Sequence, residues 1–161
     1  MKIKNAIQLL SAIGIWTLLT GCPYTASVPI SEAGDRVPSF IKGIWHSESD
    51  ADYNYEVKAG EGNKVNIAKI TIADGSREEY SATFSEINGS LFMSVADVSF
   101  GESFYLYKIH TSGNNEMTLY ELTENIRESF DGSNALRDFI SRNMNNSYFY
   151  TTGELTYTRQ E

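Results

Sequence analysis

Cysteine, histidine and proline are scarce in this chain, and each scarcity closes off a class of protein. The 161 residues include one cysteine, Cys22, and two histidines, His46 and His110, while all three prolines lie at or before Pro38. One cysteine cannot form an internal disulfide, and two histidines with one cysteine cannot supply the four nitrogen and sulfur ligands of a structural zinc site. No metal is therefore expected. A G-x-S-x-G elbow and a phosphate-cradling glycine loop are also missing, which removes the usual sequence signs of an activated serine or of nucleotide hydrolysis. No acidic residue precedes Glu32, so from Cys22 onward 11 basic residues face 21 acidic ones, a net formal charge of −10. Such a surface repels phosphates, and no nucleic-acid partner is expected.

What is present begins with the leader. Lys2 and Lys4 give a basic start, residues 6–20 (AIQLLSAIGIWTLLT) form an apolar stretch, and small Gly21 precedes the cysteine. These are the parts of an export signal, and the apolar stretch falls short of the roughly 20 residues that span a bilayer. The tetrapeptide LTGC, ending at Cys22, resembles the lipobox of bacterial lipoproteins. That resemblance implies a thioether-linked diacylglyceryl group on the Cys22 sulfur, cleavage between Gly21 and Cys22, and acylation of the new amine by a palmitate-like chain. A thiolate is the ordinary side chain nucleophilic enough for such alkylation near neutral pH. One myristoyl chain binds membranes only marginally, at about 0.8 kcal/mol per buried methylene, whereas two or three chains anchor stably. Lipoproteins with Asp after the lipidated cysteine stay in the inner membrane; Pro23 stands there instead, which implies the outer membrane of the cell envelope. Beyond these covalent lipids no cofactor is expected.

The rest divides into two parts. Residues 22–39 carry all three prolines with small polar residues and no periodicity, and read as an extended, lipidated tether. Residues 40–161 read as one mainly β domain, with ten Tyr and eight Phe in the chain favouring strands. Strands are expected at 40–47, 53–59 and 64–73, the last with a β-bulge near Ala68 and Lys69 to bring Val65, Ile67, Ile70 and Ile72 onto one face. Tyr80, Ala82 and Phe84 alternate along the next strand, Asn88 and Gly89 supply a tight turn, and Leu91, Met93 and Val95 return. Residues 103–110 are apolar on both faces, so something must cover the outer one. After a strand at 116–123 the period changes. A short helix capped by Thr123 is expected first, then a better one capped by Ser133 with Leu136, Phe139, Ile140 and Met144 on one stripe, packed outside the sheet or across its end. Two short strands, SYFYTT and ELTYTR, close the chain.

About eight antiparallel strands in meander order, with one or two helices before the last strands, make a small closed barrel. Gly43-Ile44-Trp45 at the start of the first strand is similar to the G-x-W signature of lipocalin-like barrels, as is a helix followed by a strand ending in an arginine, here Arg159. The resemblance implies Trp45 at a closed barrel end with Arg159 packed over it in a cation–π contact. The whole chain, from GCPYTASVPI through SYFY to TYTR, also resembles a group of small bacterial lipoproteins without assigned activity.

Other constellations are weaker. Asp50, Asp52, Asn54 and Glu61 stand at calcium-loop positions, but Tyr55 replaces the required glycine and strands flank the stretch. Glu78 and Glu79 fall on opposite faces of a strand, which spoils shared acid–base work. No catalytic residue is assigned and the protein is read as non-enzymatic. Tyr53, Tyr55, Tyr80, Tyr105, Tyr107, Tyr120, Tyr148, Tyr150 and Tyr157 recur in strand segments. They could line a pocket for a small apolar ligand or an envelope component, or fill the core; bulky Tyr80, Phe84, Met93 and Leu106, taken as inward, favour filling. A filled barrel would leave a structural role or the binding of an envelope protein through outer loops. For the anchor, Cys22→Ser, or globomycin treatment of the producing cells, is expected to abolish acyl labelling and move the protein from the membrane to the soluble fraction; unchanged labelling and fractionation would remove the assignment.

Overall fold

A computed structural model describes residues 24–97 and 103–160; Gly21, Cys22 and the leader lie outside them. The strands are β1 (Thr25–Ala26), β2 (Gly43–His46), β3 (Tyr53–Ala59), β4 (Lys64–Thr71), β5 (Arg77–Ile87), β6 (Ser90–Asp97), β7 (Phe104–Ser112), β8 (Glu116–Glu121) and β9 (Leu155–Gln160), with helix α1 (Ser133–Asn143) between the last two. Strands β2 to β8 form an antiparallel meander. Strand β9 then enters between β8 and β2, and β7 pairs with β8, so eight strands close on themselves. Closure gives each of these eight strands a partner on both sides. The β5–β6 turn shows how local chemistry sets register: Asn88 and Gly89 have φ of 50° and 77°, as a two-residue hairpin requires, and Ile87 pairs with Ser90.

Alternation along these strands makes two apolar layers. Val57, Val65, Ala82, Phe84, Met93, Val95 and Ile109 point into the barrel. A second cluster lies outside, where Phe92 and Leu106 are covered by Leu136 and Ile140 of α1, by Met144 just after it, and by Ala26 and Ile30 of the N-terminal segment. This cover is what the two-faced apolar character of β7 required. Leu106, read as inward, faces outward beneath it, fully buried. Phe139 also joins this layer, its ring tilted against those of Phe130 and Phe149.

Several other expectations change. The pairing of β4 with β3 and β5 runs unbroken, with no bulge at Ala68 or Lys69. Val65, Ile67 and Lys69 therefore share the inner face, and Ile70 and Ile72 lie outside, with Ile72 53% exposed. The 24–38 part of the expected tether is bound to the barrel. Thr25 pairs with Tyr105 and Ala26 with Phe104, the Ile30 N–H donates to Ser94 Oγ (3.0 Å), and the Asp35 N–H donates to the Phe84 carbonyl (2.7 Å). The outer face of β6 and β7 is too apolar to leave wet, and Ala26 and Ile30 cover it without needing a periodic pattern.

Residues 123–130 form a turn and extended chain rather than a helix. Thr123 Oγ1 accepts from the Asn125 N–H (3.3 Å), the kind of local bond by which Thr and Asn compete with a helix. Helix α1 starts with Gly132 at its cap position and no side-chain cap bond, while Ser133 Oγ lies 3.4 Å from Glu32 Oε1. Of the two closing strands only Leu155–Gln160 exists; Ser147–Phe149 is a 3-10 turn, and Tyr150 makes a single bridge to Leu122. The edge of β8 is already taken by β9.

One barrel end is sealed. Trp45 is completely buried and its Nε1 donates to the Ile41 carbonyl at 2.8 Å, fixing the 3-10 turn Ser39–Ile41 beneath it. Arg159, paired with Trp45 in the β2–β9 register, holds its guanidinium 4.8 Å from the Trp45 ring centroid. It also donates to the carbonyls of Phe40, Lys42 (2.6 Å) and Asn114 (3.2 Å). Gly43 makes room: its φ is 138°, and a Cβ there would meet Arg159 Nη1 at 2.7 Å. We expect Trp45→Ala to cost about 3–5 kcal/mol in urea unfolding and Arg159→Met about 1–3 kcal/mol through its lost hydrogen bonds. Exposed Ile72→Ser should stay within about 0.5 kcal/mol.

Candidate functional site

Toward the other end the same inward positions carry tyrosines in place of branched aliphatics, and the packing opens. A cavity of about 480 Å³ results, inside the range of small-molecule pockets, about 300–1,000 Å³. Tyr55, Tyr80, Tyr105, Tyr107 and Tyr157 line it, with aliphatic wall between them from residues such as Val57, Ile67, Met93 and Leu119. The barrel is therefore filled only at its Trp45 end. Phe84 is fully buried there, but Tyr80 and Met93 stand on the cavity wall and Leu106 is outside.

Rings anchored by their hydroxyls hold the wall upright. The Tyr55 hydroxyl donates to Asp50 Oδ2, and its ring meets Tyr157 edge to face with centroids 5.4 Å apart. Asp50 comes from the 3-10 turn Glu48–Asp50 that follows β2. The Tyr80 hydroxyl donates to Glu78 Oε2 at 2.8 Å. Glu121, the last residue of β8, stands opposite Tyr107 in the β7–β8 register. Burial pushes the Glu121 carboxyl above the usual carboxylate range, and the neighbouring Tyr107 hydroxyl opposes that only in part. Burial likewise pushes the Tyr55 and Tyr107 hydroxyls far up, and Tyr157 to about 12 with help from the Asp50 charge. All three remain neutral donors at physiological pH.

Lys69 also lines the cavity, but its Nζ sits 3.8 Å over the ring of Tyr53, which does not. The ion pairs among the described residues join Lys58 and Arg77 to Glu56, and Arg77 to Glu79, on the outer surface. No cation among the described residues pairs with Asp50 or Glu121. Glu121 was legible from its phase: it follows Met117 and Leu119 at intervals of two, a charge at an inward position. Asp50 gave no such signal, since its place depends on how the turn after β2 folds over the barrel.

The remaining candidates are scattered. Asp50 and Asp52 precede β3 and Glu61 follows it, so a strand of seven residues, roughly 23 Å, separates them and no calcium loop forms. His46 Nδ1 lies 3.1 Å from both the Tyr53 carbonyl and Asn54 Oδ1, while His110 is exposed on β7. Among the described residues no three His, Cys, Asp or Glu side chains gather as metal ligands. Glu78 and Glu79 sit on opposite faces of β5, one bonded to Tyr80 and the other to Arg77. Tyr120 and Tyr150 meet edge to face outside the barrel, and Tyr148 is 73% exposed. What the cavity offers chemically is an apolar chamber with fixed phenol rings and two carboxylates toward one side.

Compared with known protein families, with curated proteins and with solved structures, the chain gives no match.

Proposed function

We propose that this chain is a bacterial lipoprotein, anchored through lipids on Cys22 at the outer membrane, whose lipocalin-like barrel holds a small, mainly apolar ligand without altering it chemically. The observation that carries the ligand reading is the cavity of about 480 Å³ inside the barrel, apolar over most of its wall. Closed antiparallel barrels of eight strands are just wide enough to be packed by side chains or to hold one small ligand, and here the packing stops short of one end. The lipobox-like LTGC supports the anchor, and the contact of Arg159 with Trp45 beside Gly43 supports the likeness to lipocalins. A ligand burying about 250 Å² of apolar surface gains roughly 6 kcal/mol, part of it offset by lost freedom, so micromolar to millimolar dissociation constants are expected.

The test uses the purified full chain and a neutral fluorescent reporter, N-phenyl-1-naphthylamine. Saturable one-to-one binding is expected, weakened about tenfold or more in Leu119→Trp, whose larger side chain fills the chamber. Circular dichroism should report an intact barrel in that variant. Absent binding, or binding indifferent to the filling substitution while the fold is intact, would overturn the reading.

A further inference from the structure

The charges at the cavity say what kind of apolar ligand fits. Two carboxyl groups, Asp50 and Glu121, line it; the Tyr55 hydroxyl donates to Asp50, and Glu121 stands opposite Tyr107 in the β7–β8 register. A phenol O–H bond satisfies one acceptor site and leaves the negative charge in place, and a carboxylate has about four such sites. The cation on the wall among the described residues, Lys69, holds its Nζ 3.8 Å over the Tyr53 ring and pairs with neither carboxyl group. The wall between the carboxylates is largely tyrosine, whose ring faces carry negative potential and attract cations. The two carboxyl groups and the ring faces favour a positive charge, and the long-range field of an acidic chain draws cations toward the opening.

We infer that the cavity is built for an apolar amine, a ligand with an alkyl or aryl body and a single ammonium group placed between Glu121 and Asp50 against the tyrosine rings. The inference rests on the ligand-binding reading above and narrows it to one class. A buried carboxylate is held in its charged form at a cost, seen in the raised pKa of Glu121, and an ammonium group would remove that cost while an added carboxylate would increase it. A neutral alcohol would still gain from the apolar wall and could hydrogen bond to the same oxygens. The expected order is therefore amine, then alcohol, then acid.

Three probes with one body separate the terms: 4-phenylbutylamine, 4-phenylbutanol and 4-phenylbutyrate, titrated calorimetrically into the full chain at low salt and neutral pH. The amine should bind about tenfold tighter than the alcohol and the acid more weakly than either, a modest ratio because partly exposed charge pairs are screened. Glu121→Gln and Asp50→Asn keep side-chain shape and hydrogen bonding. Each should shrink the ratio of amine to alcohol affinity toward one, whatever it does to the two affinities separately. An amine that binds no better than the alcohol, or a preference that survives both substitutions, overturns the charge assignment and leaves the apolar-cavity reading standing. If none of the three probes binds, both readings fall together.

Discussion

A sheet of eight strands closed on itself must place half of its side chains in an interior of fixed width, and nearly every feature of this molecule follows from how that space is used. Strand β9 imposes the constraint by pairing with β2 on one side and β8 on the other. At its far end it also delivers Arg159, which ties the 3-10 turn after Pro38 and the β7–β8 turn to the Trp45 ring. The same strand thus closes the barrel sideways and seals it below. With the Trp45 end packed solid, free volume can remain only at the other end, where tyrosines stand along the wall.

Tyrosine suits that position for a physical reason. Its ring is as apolar as phenylalanine's, but its hydroxyl must find a partner when buried. Tyr55 finds Asp50, so its ring is held at the wall instead of collapsing across the centre, and Tyr107 has Glu121 as its neighbour across the β7–β8 register. Their partners bring carboxyl groups to a chamber whose wall is mostly apolar. Volume and electrostatic character of the cavity thus have a common origin, and a phenylalanine-lined barrel would lack both.

The outer layer shows the same economy of surface. Strands β6 and β7 are apolar on both faces, which would be an aggregation hazard on an open barrel wall. Helix α1 and residues 24–38 cover that face, so the proline-containing segment contributes to the folded body. The consequence for the proposed anchor is geometric: Tyr24 already belongs to the outer apolar layer, and only Pro23 separates it from Cys22. A lipidated Cys22 would therefore hold the barrel against the bilayer surface and not at the end of a long leash.

Much of the architecture was legible because it is local. Alternation in Tyr80 to Phe84 and Leu91 to Val95, the Asn88-Gly89 turn and the stripe from Leu136 to Met144 each involve neighbours in sequence, and period and turn chemistry decide them. Meander order with closure followed from the succession of short strands. Errors arose wherever a residue's environment came from distant chain. The phase of Val65 to Ile72 depended on pairing with two other strands, Leu106 could face either apolar layer, and residues 24–38 looked like a linker because their partners lie on β5, β6 and β7. Whether the interior was hollow could not be read from composition, since tyrosines fill or line a barrel according to whether their hydroxyls reach partners across it. The sequence by itself determined the strands, their order and the acidic balance of charge, for these rest on backbone geometry and residue counts; tertiary structure alone decided that Asp50 and Glu121 meet one chamber, because residues 71 positions apart are brought together only when the sheet closes.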